Sequence, residues 1–237
     1  MGEPYLSVIF PAYNEAERLA KTLPRVLDFL RSQKYESEIL LVDDGSQDQT
    51  VTTAEALLKG FPHKVLRQPR NRGKGAAVKR GMLAGMGRFL LFSDADLSTP
   101  IEEVEGFLKE LESGYQVVIG SRAMQTSDIL ERQPFWREWM GRIFNFCART
   151  LAFRNIRDSQ CGFKAFSQKA AQDLFSRQKL ERFSFDVEVI YLAQKLGYRI
   201  LEKPVAWRNS AQSKVSVLRD SLNMFLDLLR IRWMHRG

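Results

Sequence analysis

The stretch Arg88-Phe89-Leu90-Leu91-Phe92-Ser93-Asp94-Ala95-Asp96 is an apolar run with the length of a buried strand, and it ends in two carboxylates. Strands this apolar are covered on both faces, as in a parallel sheet, so polar residues at the C-terminal end emerge at a ligand crevice. In an extended segment residues two apart point to one side, which brings Asp94 and Asp96 toward one small volume. Two like charges so placed are costly unless a cation joins them, and hard oxygen ligands suit Mg²⁺ or Mn²⁺ completed by substrate phosphates. The same residues also read as a turn, because Asp and Ser are common turn formers and Ser98-Thr99-Pro100 suits the cap of a following helix.

Upstream, the pattern of an apolar strand ending in polar residues recurs. Leu6 to Phe10 reads as a short buried strand that Pro11 stops, which leaves Pro11-Ala12-Tyr13-Asn14-Glu15 at a strand's C-terminal end. A helix follows to about Arg31, with Leu19, Leu23, Val26, Leu27 and Leu30 at helical spacing. Glu38 to Val42 is a second strand, ending in Asp43 and Asp44, and a helix then runs through Leu58. Lys64 to Arg67 is a weaker third strand before Asn71-Arg72-Gly73-Lys74-Gly75, whose exposed backbone N–H groups and lysine suit a phosphate. The dinucleotide fingerprint is not met, since Val78 takes the third glycine's place, and the Walker pattern fails at Gln68.

Downstream, a helix from Ile101 to Glu112 leads to the strand Gln116 to Gly120 and then Ser121-Arg122. This alternation predicts a mainly parallel sheet with right-handed crossovers and helices on both faces, its acidic and glycine-rich loops collected along one edge. From Arg122 to Asp158, arginines interleave with aromatics (Arg132, Arg137, Arg142, Arg149, Arg154 and Arg157 among Phe135, Trp136, Trp139, Phe144, Phe146 and Phe153), which reads as two helices facing an anionic, partly apolar surface or packing on the sheet. Asp158 to Lys164 reads as a turn that returns a lysine to the edge. Phe185-Asp186-Val187-Glu188 opens a helix, Tyr198 to Trp207 is an edge strand broken by Pro204, and Arg208 to Lys214 is a polar loop. One domain over residues 1–214 is expected, with an amphipathic helical appendage over 215–237.

The 237 residues are 44% hydrophobic, enough for a real core, and the net charge of +8 favours an anionic partner. A basic nucleic-acid-binding protein fits that charge, but Asp43-Asp44 and Asp94-Asp96 would repel a phosphate backbone unless a metal intervened. Cys147 and Cys161 form no Cys-x-x-Cys pair, which suits a reduced, cytoplasmic protein. No leader opens the chain and no run approaches the roughly 18 apolar residues of a membrane span, so any membrane contact is expected to be peripheral.

Taken together, Pro-Ala-Tyr-Asn-Glu at 11–15, Val-Asp-Asp-Gly-Ser at 42–46, Asn-Arg-Gly-Lys-Gly at 71–75, Asp-Ala-Asp at 94–96 and Gly-Ser-Arg at 120–122 resemble the family-2 glycosyltransferases with the GT-A fold. Asp-Ser-Gln-Cys-Gly-Phe-Lys at 158–164, Phe-Asp-Val-Glu at 185–188 and Ser-Lys at 213–214 look like the dolichyl- or polyprenyl-phosphate sugar transferases, most of all the β-glucosyltransferases. The resemblance implies inverting transfer of a hexose, glucose from UDP-glucose, to a lipid phosphate at the cytoplasmic membrane face. It also implies roles. Pro11, Tyr13, Glu15 and Asp43 or Asp44, with Gly73 and Lys74, would hold the nucleotide-sugar. Asp94 and Asp96 would bind its diphosphate through Mg²⁺ or Mn²⁺. Arg122, Lys164 and Lys214 would face phosphate oxygens, with Asp186, Glu188 and Ser213 on the acceptor side. A phosphate acceptor is already ionised at neutral pH and needs no strong base, which fits a chain whose only histidines are His63 and His235. The rival is the same fold acting on a soluble hydroxyl acceptor, with Asp186 or Glu188 supplying the base.

Overall fold

The computed structural model describes residues 3–124, 127–131, 147–208 and 217–236, and for 130–131 and 217–223 the backbone alone. The arginine- and aromatic-rich run from Arg132 to Phe146 lies outside the described residues, as do Ser213 and Lys214. In chain order come β1 (Leu6–Ala12), α1 (Ala16–Ser32), β2 (Ser37–Asp43), α2 (Thr50–Leu58), β3 (His63–Arg67), α3 (Lys74–Ala84) and β4 (Phe89–Ser93). The 3₁₀ turn Ile101–Glu103 then leads into α4 (Val104–Glu112), followed by β5 (Val117–Ser121), β6 (Ile129–Glu131) and β7 (Phe163–Ser167). The chain closes with α5 (Gln168–Arg177), α6 (Phe185–Lys195), β8 (Ile200–Pro204), β9 (Trp207–Arg208) and α7 (Val217–Met234).

Seven strands form one sheet in the order β3-β2-β1-β4-β7-β5-β8. The strand period of two divides the core between its faces. Val8, Phe10, Ile39, Leu41, Phe89 and Leu91 pack with α1, α2 and α4, while Ile9, Leu40, Val42, Leu90 and Phe92 pack with α3, α5, α6 and α7. Strands buried on both sides require continuous apolar runs, and β2 and β4 are buried along their whole length. From β1 the chain steps outward to β2 and β3, then returns to β4 on β1's other side. The strand order thus reverses between β1 and β4, and the crevice at their C-terminal ends is where such sheets bind ligands.

Two expectations need correction. The segment read as a turn, Asp158 to Lys164, runs into β7, which inserts antiparallel between β4 and β5. Lys164 interrupts the apolar run and disguises the strand, yet its side chain is buried. Within the region read as two helices, Ile129–Glu131 is a strand paired with β9 in a separate two-stranded sheet, and 147–151 is helical. As expected, Pro204 ends β8 at the sheet's edge.

Helix α7 divides its apolar residues. Leu228 and Ile231 are fully buried in the second core cluster, whereas Phe225, Leu226, Leu229 and Trp233 are exposed. It is tied down by the Ser184 hydroxyl donating to Asp227 Oδ2 at 2.8 Å, by a 2.6 Å contact of His235 Nε2 with Glu188 Oε1, and by Lys179 Nζ donating to the Met234 carbonyl at 2.6 Å. No helix among the described residues is long and apolar enough to cross a membrane.

The carboxylates ending β2 order the neighbouring loops. Asp43 Oδ1 accepts the Ser46 N–H at 3.1 Å, and Asn14, at φ 52°, accepts the Gln47 N–H while its own N–H donates to Ser46 Oγ. Asp44 accepts the N–H groups of Arg72 and Gly73, each at 2.8 Å, and the Gln68 amide at 2.9 Å. Burial pushes the Asp44 carboxyl above its ordinary range despite those two amides. Asp44→Ala leaves them without their acceptor, so we expect a loss of about 3 kcal/mol, read as a lower urea midpoint with an unchanged m-value.

Candidate active site

Asp94 is the first residue after β4. Its carbonyl accepts the Leu97 N–H at 3.1 Å, and Leu97 sits at φ 47°, so Asp94 to Leu97 is a turn and not the extended segment the strand period would require. The turn is pinned from two sides: Thr22 Oγ1 donates to the Ala95 carbonyl at 2.9 Å, and the Asp94 N–H to the Gly162 carbonyl at 3.1 Å. Asp96 Oδ1 accepts the Ser98 N–H at 3.0 Å.

Three cation–carboxylate pairs meet around this turn. Lys74 Nζ lies 2.6 Å from Asp94 Oδ1, with the Asp94 side chain 36% exposed. Burial works against the Lys74 ammonium, but Asp94, Asp186 and Asp96 outweigh it and raise its pKa. Arg122, just past β5, forks onto Asp158 with Nε at 2.7 Å and Nη2 at 2.9 Å, and its own N–H adds a third bond at 3.0 Å. Burial alone would raise the Asp158 carboxyl, yet the Arg122 guanidinium brings it down to about 2. Lys164, on β7, places Nζ 2.5 Å from both Asp186 Oδ1 and the Cys161 carbonyl oxygen, above the Phe92 ring. Burial pushes the Asp186 carboxyl up against the pull of Lys164 and Lys74.

Lys74, Asp94, Asp96, Arg122, Lys164 and Asp186 are therefore brought together. Lys164 is buried on Asp186 and the Cys161 carbonyl, so, against expectation, its ammonium does not face the crevice. Glu188, two positions along α6 from Asp186 and hence about 200° around the helix, is not brought in: it is fully buried, accepting the N–H groups of Lys179 and Leu180 at 2.8 Å each. Pro11, expected to stop the first strand, instead lies inside it beside Val42, and β1 continues to Ala12, whose carbonyl accepts the Asp44 N–H at 2.8 Å. Tyr13 follows β1's end, and Glu15 is bonded by Arg18 at 3.1 Å.

Two of the amides in the expected cradle at residues 71–75 are engaged within the protein. The Arg72 and Gly73 N–H groups serve Asp44, and the Ala76 N–H donates to the Glu181 carbonyl at 2.9 Å. Gly73, at φ 114°, is required because a Cβ there would lie 2.6 Å from that same carbonyl oxygen. The glycines serve close packing, and the Lys74 side chain is what reaches the site. Sequence reasoning gave no role to Asp158 or Gly162, although both stand in the quoted stretch 158–164.

No three His, Cys, Asp or Glu side chains among the described residues are grouped as a metal site. Two accessible carboxylates of hard oxygen nevertheless fit Mg²⁺ or Mn²⁺, which take one or two protein carboxylates and fill the remaining positions with phosphate oxygens and water.

The family model "Glycosyl transferase family 2" matches residues 7–175. A Drosophila melanogaster dolichyl-phosphate beta-glucosyltransferase is 40% identical over 240 residues, covering 95% of this chain and 74% of the relative. A Dictyostelium discoideum protein of the same name is 37% identical over 98% of this chain and 75% of its own length. Among solved structures, Mycobacterium tuberculosis glucosyl-3-phosphoglycerate synthase in complex with Mn²⁺, UDP and glucosyl-3-phosphoglycerate aligns with TM-score 0.67 at 20% identity, over 96% of this chain and 78% of that one. That likeness is one of fold, and the fold is GT-A-like. The match of the family model over most of the sheet, together with relatives this similar over nearly the whole length, means that the chain belongs to glycosyl transferase family 2.

Proposed function

We propose that this chain transfers glucose from UDP-glucose to a dolichyl or polyprenyl phosphate with inversion at the anomeric carbon, working as a peripheral protein at the cytoplasmic face of a membrane. The observation that carries the reading is that the buried carboxylates flanking Asp94 already have cations, Asp158 through Arg122 and Asp186 through Lys164. Asp158, held down to about 2, is a poor proton acceptor. Asp186, though burial pushes its carboxyl up, is 4% exposed with Oδ1 bonded to the Lys164 ammonium, which leaves little of it open to an acceptor hydroxyl. A phosphate monoester, largely dianionic at pH 7, asks for no base. The names of the relatives support the same acceptor and sugar.

In this reading Pro11, Tyr13 and Glu15, with Asp43 and Asp44 behind them, shape the nucleotide end of the crevice. Lys74 exchanges its contact with Asp94 for the diphosphate, Arg122 faces the acceptor phosphate, and Lys164 keeps Asp186 in place. A Mg²⁺ or Mn²⁺ bound by Asp94 and Asp96 would supply positive charge for the departing nucleoside diphosphate. In-line attack by a phosphate oxygen on an α-linked donor gives a β-linked lipid phosphosugar.

The direct test is product formation across nucleotide-sugars and acceptors. We expect transfer from UDP-glucose to dolichyl phosphate, loss of transfer in excess chelator, and a fall of at least about a hundredfold for Asp94→Asn. Transfer to a soluble hydroxyl compound with no lipid activity would overturn the acceptor assignment.

The acceptor also sets a pH dependence. A phosphate monoester has its second pKa near 6, so kcat/KM should rise through that value and then level. Asp158, held near 2, is already ionised there and contributes no limb. Replacing the acceptor with a phosphonate of different pKa should move the limb. A limb that stays put would identify an enzyme base instead.

The exposed residues Phe225, Leu226, Leu229 and Trp233, beside Arg230, Arg232 and Arg236, suit an anionic leaflet. Each basic residue there contributes about 1 kcal/mol. We expect sedimentation with phosphatidylserine liposomes at low salt, release at high salt, and loss of binding in Leu229→Glu/Trp233→Glu with an unchanged melting temperature. Equal sedimentation of that variant would remove α7 from the membrane contact.

A further inference from the structure

Gly162 stands between the buried Cys161 and the start of β7, and its φ is not among the positive values. Its backbone conformation therefore does not demand glycine. Space does. A Cβ at this position would lie 1.9 Å from Asp94 Oδ2, 2.4 Å from Asp94 Cγ and 2.9 Å from Asp94 Oδ1, and these are its three nearest heavy atoms. The carboxyl group of Asp94 occupies the space a side chain would fill. The Gly162 carbonyl also accepts the Asp94 N–H, so one residue fixes both the main chain and the side chain of Asp94. On the opposite side, Lys74 Nζ holds Oδ1 at 2.6 Å.

We propose that Gly162 is a positioning residue for Asp94: the missing Cβ lets the Asp94 carboxylate lie against the backbone at 162 and fixes where its oxygens meet the donor's diphosphate. The obstacle to a larger residue is the end of one rotatable side chain. The fold can therefore accept alanine at 162, but only by turning the Asp94 carboxylate out of its place. Misplacement by about 1 Å of a group that acts by position costs on the order of a hundredfold in rate, and disturbing the support of a metal ligand weakens metal affinity about 10- to 100-fold.

The functional half of this inference rests on the proposed role of Asp94, while the steric half does not, and the experiment separates them. Thermal unfolding is measured for wild type, Gly162→Ala, Asp94→Ala and the double variant, and Mn²⁺ affinity is measured for each by the EPR signal of free Mn²⁺. We expect any drop in melting temperature caused by Gly162→Ala to vanish in the Asp94→Ala background. We also expect Mn²⁺ affinity to fall at least tenfold in Gly162→Ala, with no further fall when Asp94 is already absent. Should Gly162→Ala fail to fold, folding of the double variant supports the proposal and its failure to fold overturns it. A stability penalty that is the same with and without Asp94 overturns the proposal, as does wild-type Mn²⁺ affinity and turnover in a folded Gly162→Ala. Wild type that binds no Mn²⁺ overturns the metal reading of Asp94, and the unfolding cycle then still decides whether Gly162 positions that residue.

Discussion

The pairing of charge at the C-terminal ends of β4 and β5 is the constraint on which the rest of this structure depends. Asp158 and Asp186 are buried and Asp94 lies near them with its side chain partly open to water, and Lys74, Arg122 and Lys164 meet the three one to one. Removing one partner from a buried pair strands its mate, at a cost of about 3–5 kcal/mol. Each pair also ties together elements distant in sequence. Arg122 to Asp158 joins the end of β5 to the approach to β7, Lys164 to Asp186 joins β7 to α6, and Lys74 to Asp94 joins α3 to the turn after β4. The sheet brings the elements together, and the pairs set the positions of their ends.

The antiparallel strand β7 follows from this arrangement. A lysine in the middle of a mixed sheet is tolerated only if its ammonium has partners, and Lys164 has the Asp186 carboxylate, the Cys161 carbonyl and the face of Phe92. Running antiparallel between β4 and β5, β7 has its first residues beside the last residues of β4, where Ser93 pairs with Phe163. The loop before β7 therefore arrives next to Asp94. A parallel strand in the same slot would have presented its C-terminal end there, and residues 158–162 could not have supplied Asp158 and Gly162 to the site.

What was legible in the sequence follows from the same physics. β1, β2, β4 and β5 announce themselves because burial on two faces demands apolar runs, and the polar residues at their ends, acidic after β2 and β4 and an arginine after β5, were visible as the places where those runs stop. β7 was not legible, since Lys164 breaks its run and its partner Asp186 is 22 residues away. The glycines at 73 and 75 read as a phosphate-facing turn, but sequence does not say what packs against them. It is the 180–182 segment and Phe185, with Asp44 taking the Arg72 and Gly73 amides. Gly162 was unremarkable in a turn-like stretch until the Asp94 carboxyl was seen in the space beside it.

The three pairs differ in one respect that bears on how the site works. The side chains of Lys164 and Asp186 are 1% and 4% exposed, and that of Asp158 is 2% exposed, so breaking either of those pairs uncovers a charge in a region of low dielectric. Lys74 and Asp94 are 20% and 36% exposed, so water screens their attraction and can solvate either group once they separate. The pair with the lowest cost of separation is the one at the mouth of the crevice, at the reversal of strand order. Substrate charge can replace one member there without unsettling the two pairs beneath, so the deep pairs give the shallow one a fixed floor on which to exchange partners.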